Sequence, residues 1–191
     1  DAADLIVLVG SNTAWCHPVI WQRIEKARER RGTRIVVIDP RRTETAEQAD
    51  LHVPIAPDSD IALFNALLAD MRARGLAQDG VLSVPDGFWD GLACDPGIPA
   101  ATFRRLADLV AAHPRMVTLF SQGANQSRSG TDKGNAIINL HLATGRIGRI
   151  GAGPFSITGQ PNAMGGREVG GLANMLACHL GFADDERAAV A

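Results

Sequence analysis

The chain has 191 residues, 46% hydrophobic and 21% charged, with a formal charge of −2 at pH 7. This is the balance of a soluble globular protein with one substantial core; it excludes a disordered tail and a polycation made for nonspecific nucleic-acid binding. No stretch approaches the ~20 continuous apolar residues of a membrane-spanning helix, and a start at Asp1 without Met reads as a cut from something longer.

Residues 5–10, "LIVLVG", are a short apolar run ended by glycine, as in a strand buried on both faces of a parallel sheet. A helix is predicted next, with Pro18 at its first position, Val19, Ile20, Ile24 and Ala27 at helical spacing, and Gly32 as its stop. "RIVVID" (34–39) and "LHVPI" (51–55) are further strands. Residues 58–74 form an amphipathic helix with Ile61, Phe64, Leu67, Leu68 and Met71 on one face. Residues 75–99 read as a long irregular excursion. A helix with Phe103, Leu106, Leu109 and Val110 inside runs from Pro99 to about His113, ahead of the strand "MVTLFS" (116–121). The last helix, about 131–144, is apolar nearly all round and stopped by Gly145.

Four strands alternating with helices predict an α/β fold: a doubly wound, mainly parallel, dinucleotide-binding-like three-layer sandwich. Nine of the twenty glycines fall between residues 145 and 171. The expected division is an α/β domain over 1–153, then a Gly-rich segment, 154–191, that begins another domain.

Ligands of open α/β sheets bind beyond the carboxyl ends of the strands. Four loops qualify: Gly10, Ser11 and Asn12; Asp39, Pro40, Arg41 and Thr43; Asp58 and Asp60; and Gly123, Asn125 and Gln126. Asp39 ends the second strand, where a dinucleotide-binding domain sets a carboxylate on ribose hydroxyls. The G-x-G-x-x-G turn is missing, but Arg41 and Arg42 favour a phosphorylated ligand. Asp58 and Asp60 read either as helix caps or, for Asp60, as an acceptor for a guanine edge. Seventeen arginines against two lysines suit oxyanion ligands, or reflect base composition. Cys16, Cys94 and Cys178 have no metal-like spacing, nor do the five histidines, so no metal ligands are expected; three unpaired thiols fit a reducing, cytoplasmic compartment.

Taken in series, "DLIVLVGSNTAWCHPVIWQRI", "RIVVIDPRRTETAEQADLHVPIAPDSDIAL" and "NAIINLHLATGRIGRIGAGPFSITGQPNAMGGREVGG" resemble the catalytic subunits of the molybdopterin oxidoreductases, the dimethyl sulfoxide reductase family. Within it, "SITGQPNAMGGREVGG" is most similar to assimilatory nitrate reductases; formate dehydrogenases are the nearest rivals, and a stand-alone nucleotide-binding module is the alternative from another class. The resemblance covers the whole chain but only a middle slice of such an enzyme. It implies a bis(molybdopterin guanine dinucleotide) cofactor carrying molybdenum, a 4Fe–4S cluster held by a missing upstream part, nitrate as substrate and a redox partner. It places the Asn12 loop near phosphate, Asp39 and Arg41 at the guanosine end, Asp60 on the guanine, and Gly123, Asn125 and Gln126 nearer the pterin. Gly159 and Gln160 join the cofactor set. Arg167 becomes the residue that meets the anionic substrate, oriented by Glu168, or else an arginine paired with Glu168 for structure.

Overall fold

The computed structural model describes residues 1–78, 87–92, 94–157, 168–171 and 175–190. Five strands form one sheet: β1 Leu5–Val9, β2 Arg34–Ile38, β3 Leu51–Val53, β4 Met116–Phe120 and β5 Gly153–Ser156. Their order is β3-β2-β1-β4-β5, and every neighbouring pair is parallel. The fifth strand exceeds the four predicted from sequence. "GPFS" lacks the β-rich run that marks the others, and its proline is tolerated because β5 is an edge strand. The four strands that were predicted are rich in Val, Ile, Leu, Met or Phe. In β1 all five residues are buried, each aliphatic side chain contributing roughly 1.5–3 kcal/mol.

The helices are α1 Thr13–Cys16, α2 Pro18–Arg31, α3 Glu44–Glu47, α4 Asp60–Ala73, α5 Phe88–Gly91, α6 Ala100–Ala112, α7 Gln122–Asn125, α8 Gly130–Ala143 and α9 Asp184–Val190. Alternation along the strands divides the core. Leu5, Val7, Val9, Val36 and Ile38 face α4, α6 and α8 through Phe64, Leu67, Leu106, Val110, Ile137 and Leu140. Ile6, Leu8, Ile35 and Val37 face α2 and α3 through Trp21, Ile24 and Ala46. The chain divides into two units, Asp1–Gly159 and Gln160–Ala191.

Two helix faces differ from expectation. Val19 is 69% exposed, and Trp21 joins Ile24 and Ala27 inside. At about 100° per residue, Val19 points about 140° away from Ile24. Helix α4 starts at Asp60 rather than 58; Leu63 is fully buried whereas Ile61 is half-buried. Within the expected excursion, the four-residue α5 brings Phe88 and Trp89 against the core. Their rings meet edge to face at 5.3 Å, and the Arg72 guanidinium lies 4.1 Å from the Trp89 ring centre.

Helix α8 also buries polar groups. The Nε2 of His141 lies 2.7 Å from Thr118 Oγ1 on β4. Arg146 donates to the Val110 carbonyl at 2.6 Å and to Thr144 Oγ1 at 2.5 Å, tying the end of α8 to α6. Burial, and secondarily the charge of Arg146, push the His141 pKa from 6.5 down to about 3. Between these values the unfolded chain takes up a proton that the folded chain does not. This part of the stability is therefore complete above pH 6.5 and is lost as pH falls toward 3. Denaturant unfolding at pH 7 and pH 5 is expected to show a loss approaching 1.4 kcal/mol per pH unit from this group. The variant His141→Gln is expected to lack it, and an unchanged slope in that variant would refute the assignment.

Candidate functional site

Strand register brings the candidate loops to one edge. Val9 pairs with Ile38 and Phe120, Ile38 with Val53, and Phe120 with Ser156, so the five carboxyl ends lie in one row. Four steps of strand spacing make this rim about 19 Å long. Strand order reverses between β1 and β4, the switch point at which such sheets open a ligand crevice.

At the switch point two glycines are in contact. Gly10 has φ +54°, its N–H donates to the Ile38 carbonyl, and its own carbonyl accepts from Gly123 N at 3.0 Å. A Cβ on either glycine would lie 2.6 Å from the other's Cα. Glycine is required at both positions by the close approach of one loop to the other. Ser11 is buried, with its Oγ 2.9 Å from Thr13 Oγ1. Asn12 Oδ1 accepts from Thr45 Oγ1 at 2.7 Å, and Thr45 Oγ1 accepts from Ala14 N at 3.0 Å, joining the loops after β1 and β2. Among the described residues, no acceptor pairs with the main-chain N–H of Ser11, Asn12 or Thr13.

At the end of β2, Asp39 is 4% exposed, and its Oδ1 accepts from Arg41 N at 2.8 Å. The Asp39 carbonyl accepts from His52 Nε2 at 2.9 Å. Pro40 is exposed, and the Arg41 side chain is 79% exposed, with Nε 3.9 Å from Asp39 Oδ1. Thr43 caps α3, its Oγ1 accepting from Ala46 N at 3.3 Å. A buried carboxylate thus stands beside an exposed guanidinium that reaches into solvent.

Beyond β3 the cap reading of Asp58 does not hold. Ser59 is the N-cap residue of α4, without a side-chain cap bond, and Asp58 sits at φ +68°, turned toward Lys133. The Lys133 ammonium lies 2.7 Å from Asp58 Oδ1 and 2.9 Å from Asp60 Oδ2. Lys133 and Asp60 are buried, and Asp58 is exposed. Burial acts to lower the Lys133 pKa, but its hydrogen bonds to Asp58 and Asp60, with their charges, hold it above the usual lysine value.

Over β4 and β5, Asn125 Nδ2 donates to Ser156 Oγ at 3.0 Å; Gly123, Asn125 and Gln126 are exposed. Gly159, Gln160 and Arg167 lie outside the described residues. In the second unit, Glu168 Oε1 is 2.6 Å from His179 Nε2, and Cys178 and His179 both have positive φ. Sequence reasoning missed Thr45, Lys133 and Ser156. Lys133 had a signal: it is one of only two lysines and stands on a helix otherwise read as apolar. A groove of about 410 Å³, lined in part by Ile6, Ile20, Val117 and Leu119, lies on the sheet face and not at the rim. No described helix is long and apolar enough to cross a membrane.

The fold is a parallel α/β domain whose candidate loops share one rim. The family model of molybdopterin oxidoreductases matches residues 1–189, and the chain belongs to that family. A nitrate reductase of Klebsiella oxytoca is 50% identical over 97% of this chain and 22% of its own length. One from Shewanella frigidimarina is 45% identical over 98% and 21%. The alpha subunit of an F420-dependent formate dehydrogenase from Methanococcus maripaludis is 33% identical over 91% and 27%. The chain therefore spans about a fifth to a quarter of the length of these relatives. Among solved structures, acetylene hydratase from Pelobacter acetylenicus superposes with a TM-score of 0.60 at 22% identity, over 75% of this chain and 22% of the other, a likeness of fold.

Proposed function

We propose that the chain is a slice of the catalytic subunit of a molybdenum-dependent nitrate reductase, in which this α/β domain holds one guanosine arm of a bis(molybdopterin guanine dinucleotide). The observation that carries the reading is the single rim on which every described candidate loop converges, in a chain 50% identical to a nitrate reductase.

The donor set suits a phosphorylated nucleoside. The N–H groups after β1 and the Arg41 guanidinium supply what phosphate oxygens require. Asp39, held by Arg41 N, suits ribose hydroxyls, and Asp60 suits the N–H donors of a guanine edge. Asn125 and Gln126 offer amides on the side toward the pterin, with Gly159 and Gln160 further along the chain.

When bound, the molybdenum centre supplies the two-electron chemistry that takes one oxygen atom from nitrate and leaves nitrite. The part of this chain's own residues is to hold and orient the cofactor and, at Arg167, to attract the anion. A 4Fe–4S cluster upstream and a redox partner in the cytoplasm complete the reading. Turnover by the complete subunit tests it: nitrate is expected to be reduced and formate not oxidised, and the reverse result would move the chain to the formate dehydrogenases.

A further inference from the structure

Lys133 is the charged side chain most deeply enclosed at the rim, with 1% of its surface exposed. It is carried by α8, whereas both its partners belong to the segment entering α4. Its ammonium meets an exposed carboxylate, Asp58, and a buried one, Asp60, whose side chain is 7% exposed. Removing the ammonium would leave the buried Asp60 carboxylate beside a second carboxylate without a counter-charge, and a buried carboxylate in that situation turns away from its position. A carboxylate can accept from two neighbouring N–H donors only while it is ionised. Asp60 uses Oδ2 for Lys133, and no described residue donates to Oδ1.

We propose that Lys133 is a positioning residue for base selectivity: its ammonium fixes Asp60 as an ionised acceptor for the N1–H and N2–H₂ edge of a guanine and so disfavours adenine. The inference rests on the nucleotide-binding reading of the rim. Adenine presents an unprotonated N1 where guanine presents a donor, so an ionised Asp60 repels one base and binds the other. Asp58 contributes the second contact that holds the ammonium in place, from a backbone at φ +68°. The contacts of Lys133 with Asp58 and Asp60 involve no phosphate-binding group, so the effect is confined to the base.

The test is the ratio of GDP to ADP affinity, measured by titration of the 191-residue chain with each nucleotide. Thermal melting provides the control for folding. Wild type is expected to prefer GDP. Lys133→Met and Lys133→Gln are expected to lose at least ten-fold of that preference, mainly through weaker GDP binding, while Lys133→Arg retains part of it. In an Asp60→Asn background, Lys133→Met is expected to change the ratio no further. If GDP and ADP weaken equally in both neutral variants, or the preference survives in either folded variant, the positioning role is overturned while the nucleotide reading stands. If wild type binds neither nucleotide, or both alike, the nucleotide reading and the role built on it are overturned together.

Discussion

Gly10→Ala is expected to lower the melting temperature of the chain by roughly 10 °C, the shift that follows from a loss of about 3–4 kcal/mol in a domain of this size. Two costs combine. The backbone at φ +54° disfavours any residue with a Cβ, at about 1–2 kcal/mol. The new methyl group would then stand 2.6–2.7 Å from the Cα, C and N atoms of Gly123 and Ala124, and these are backbone atoms that cannot rotate away. Gly32→Ala is the control. Gly32 has φ +71° and caps α2, but open space surrounds its Cβ position, so only the conformational cost of about 1 kcal/mol applies. Differential scanning calorimetry of the two variants compares them; equal shifts would show that loop contact at the switch point contributes nothing. Because Gly10 and its contact Gly123 stand at the rim, Gly10→Ala is also expected to abolish nucleotide binding in protein that remains folded.

Arg167→Ala in the complete subunit is expected to reduce kcat/KM for nitrate by roughly 10- to 100-fold, the range for loss of one charge-assisted hydrogen bond to an anion, while molybdenum content stays near wild type. Glu168, its neighbour in sequence, is bonded to His179. The pair connects the residue after Arg167 to a turn in which Cys178 and His179 adopt consecutive left-handed conformations, costing about 1–3 kcal/mol each and characteristic of functional segments. Steady-state kinetics with metal analysis decides between roles. Loss of molybdenum together with activity would assign Arg167 to cofactor retention, and unchanged kinetics would leave it a structural partner.

Much of the fold was legible because buried parallel strands leave a strong mark: "LIVLV" and "RIVVI" are apolar throughout, and Pro18 and Gly32 punctuate the helix between them. Strand β5 was not legible, since an edge strand reading "GPFS" has neither a β-rich run nor alternation. The buried face of α2 was misread at Val19 because the apolar residues there exceed what one face can accommodate. At the rim, the residue types after each strand identified the loops, but the contacts within them depend on partners distant in sequence. Thr45 meets Asn12 across 33 positions, and Lys133 meets Asp58 across 75. Short-range spacing carries no information about such pairs, which is why Asp58 read as a cap.

The central claim is that the carboxyl-end rim holds a guanosine nucleotide, and the most direct measurement is a GDP titration of the isotopically labelled chain followed by amide NMR. Saturable shifts are predicted for Gly10–Asn12, Asp39–Thr43, Asp58–Asp60 and Gly123–Gln126, with the opposite ends of the same strands, at Leu5, Arg34 and Met116, unmoved. Shifts clustered instead around the Ile6, Ile20 and Leu119 groove, or no saturable shift at all, would contradict it.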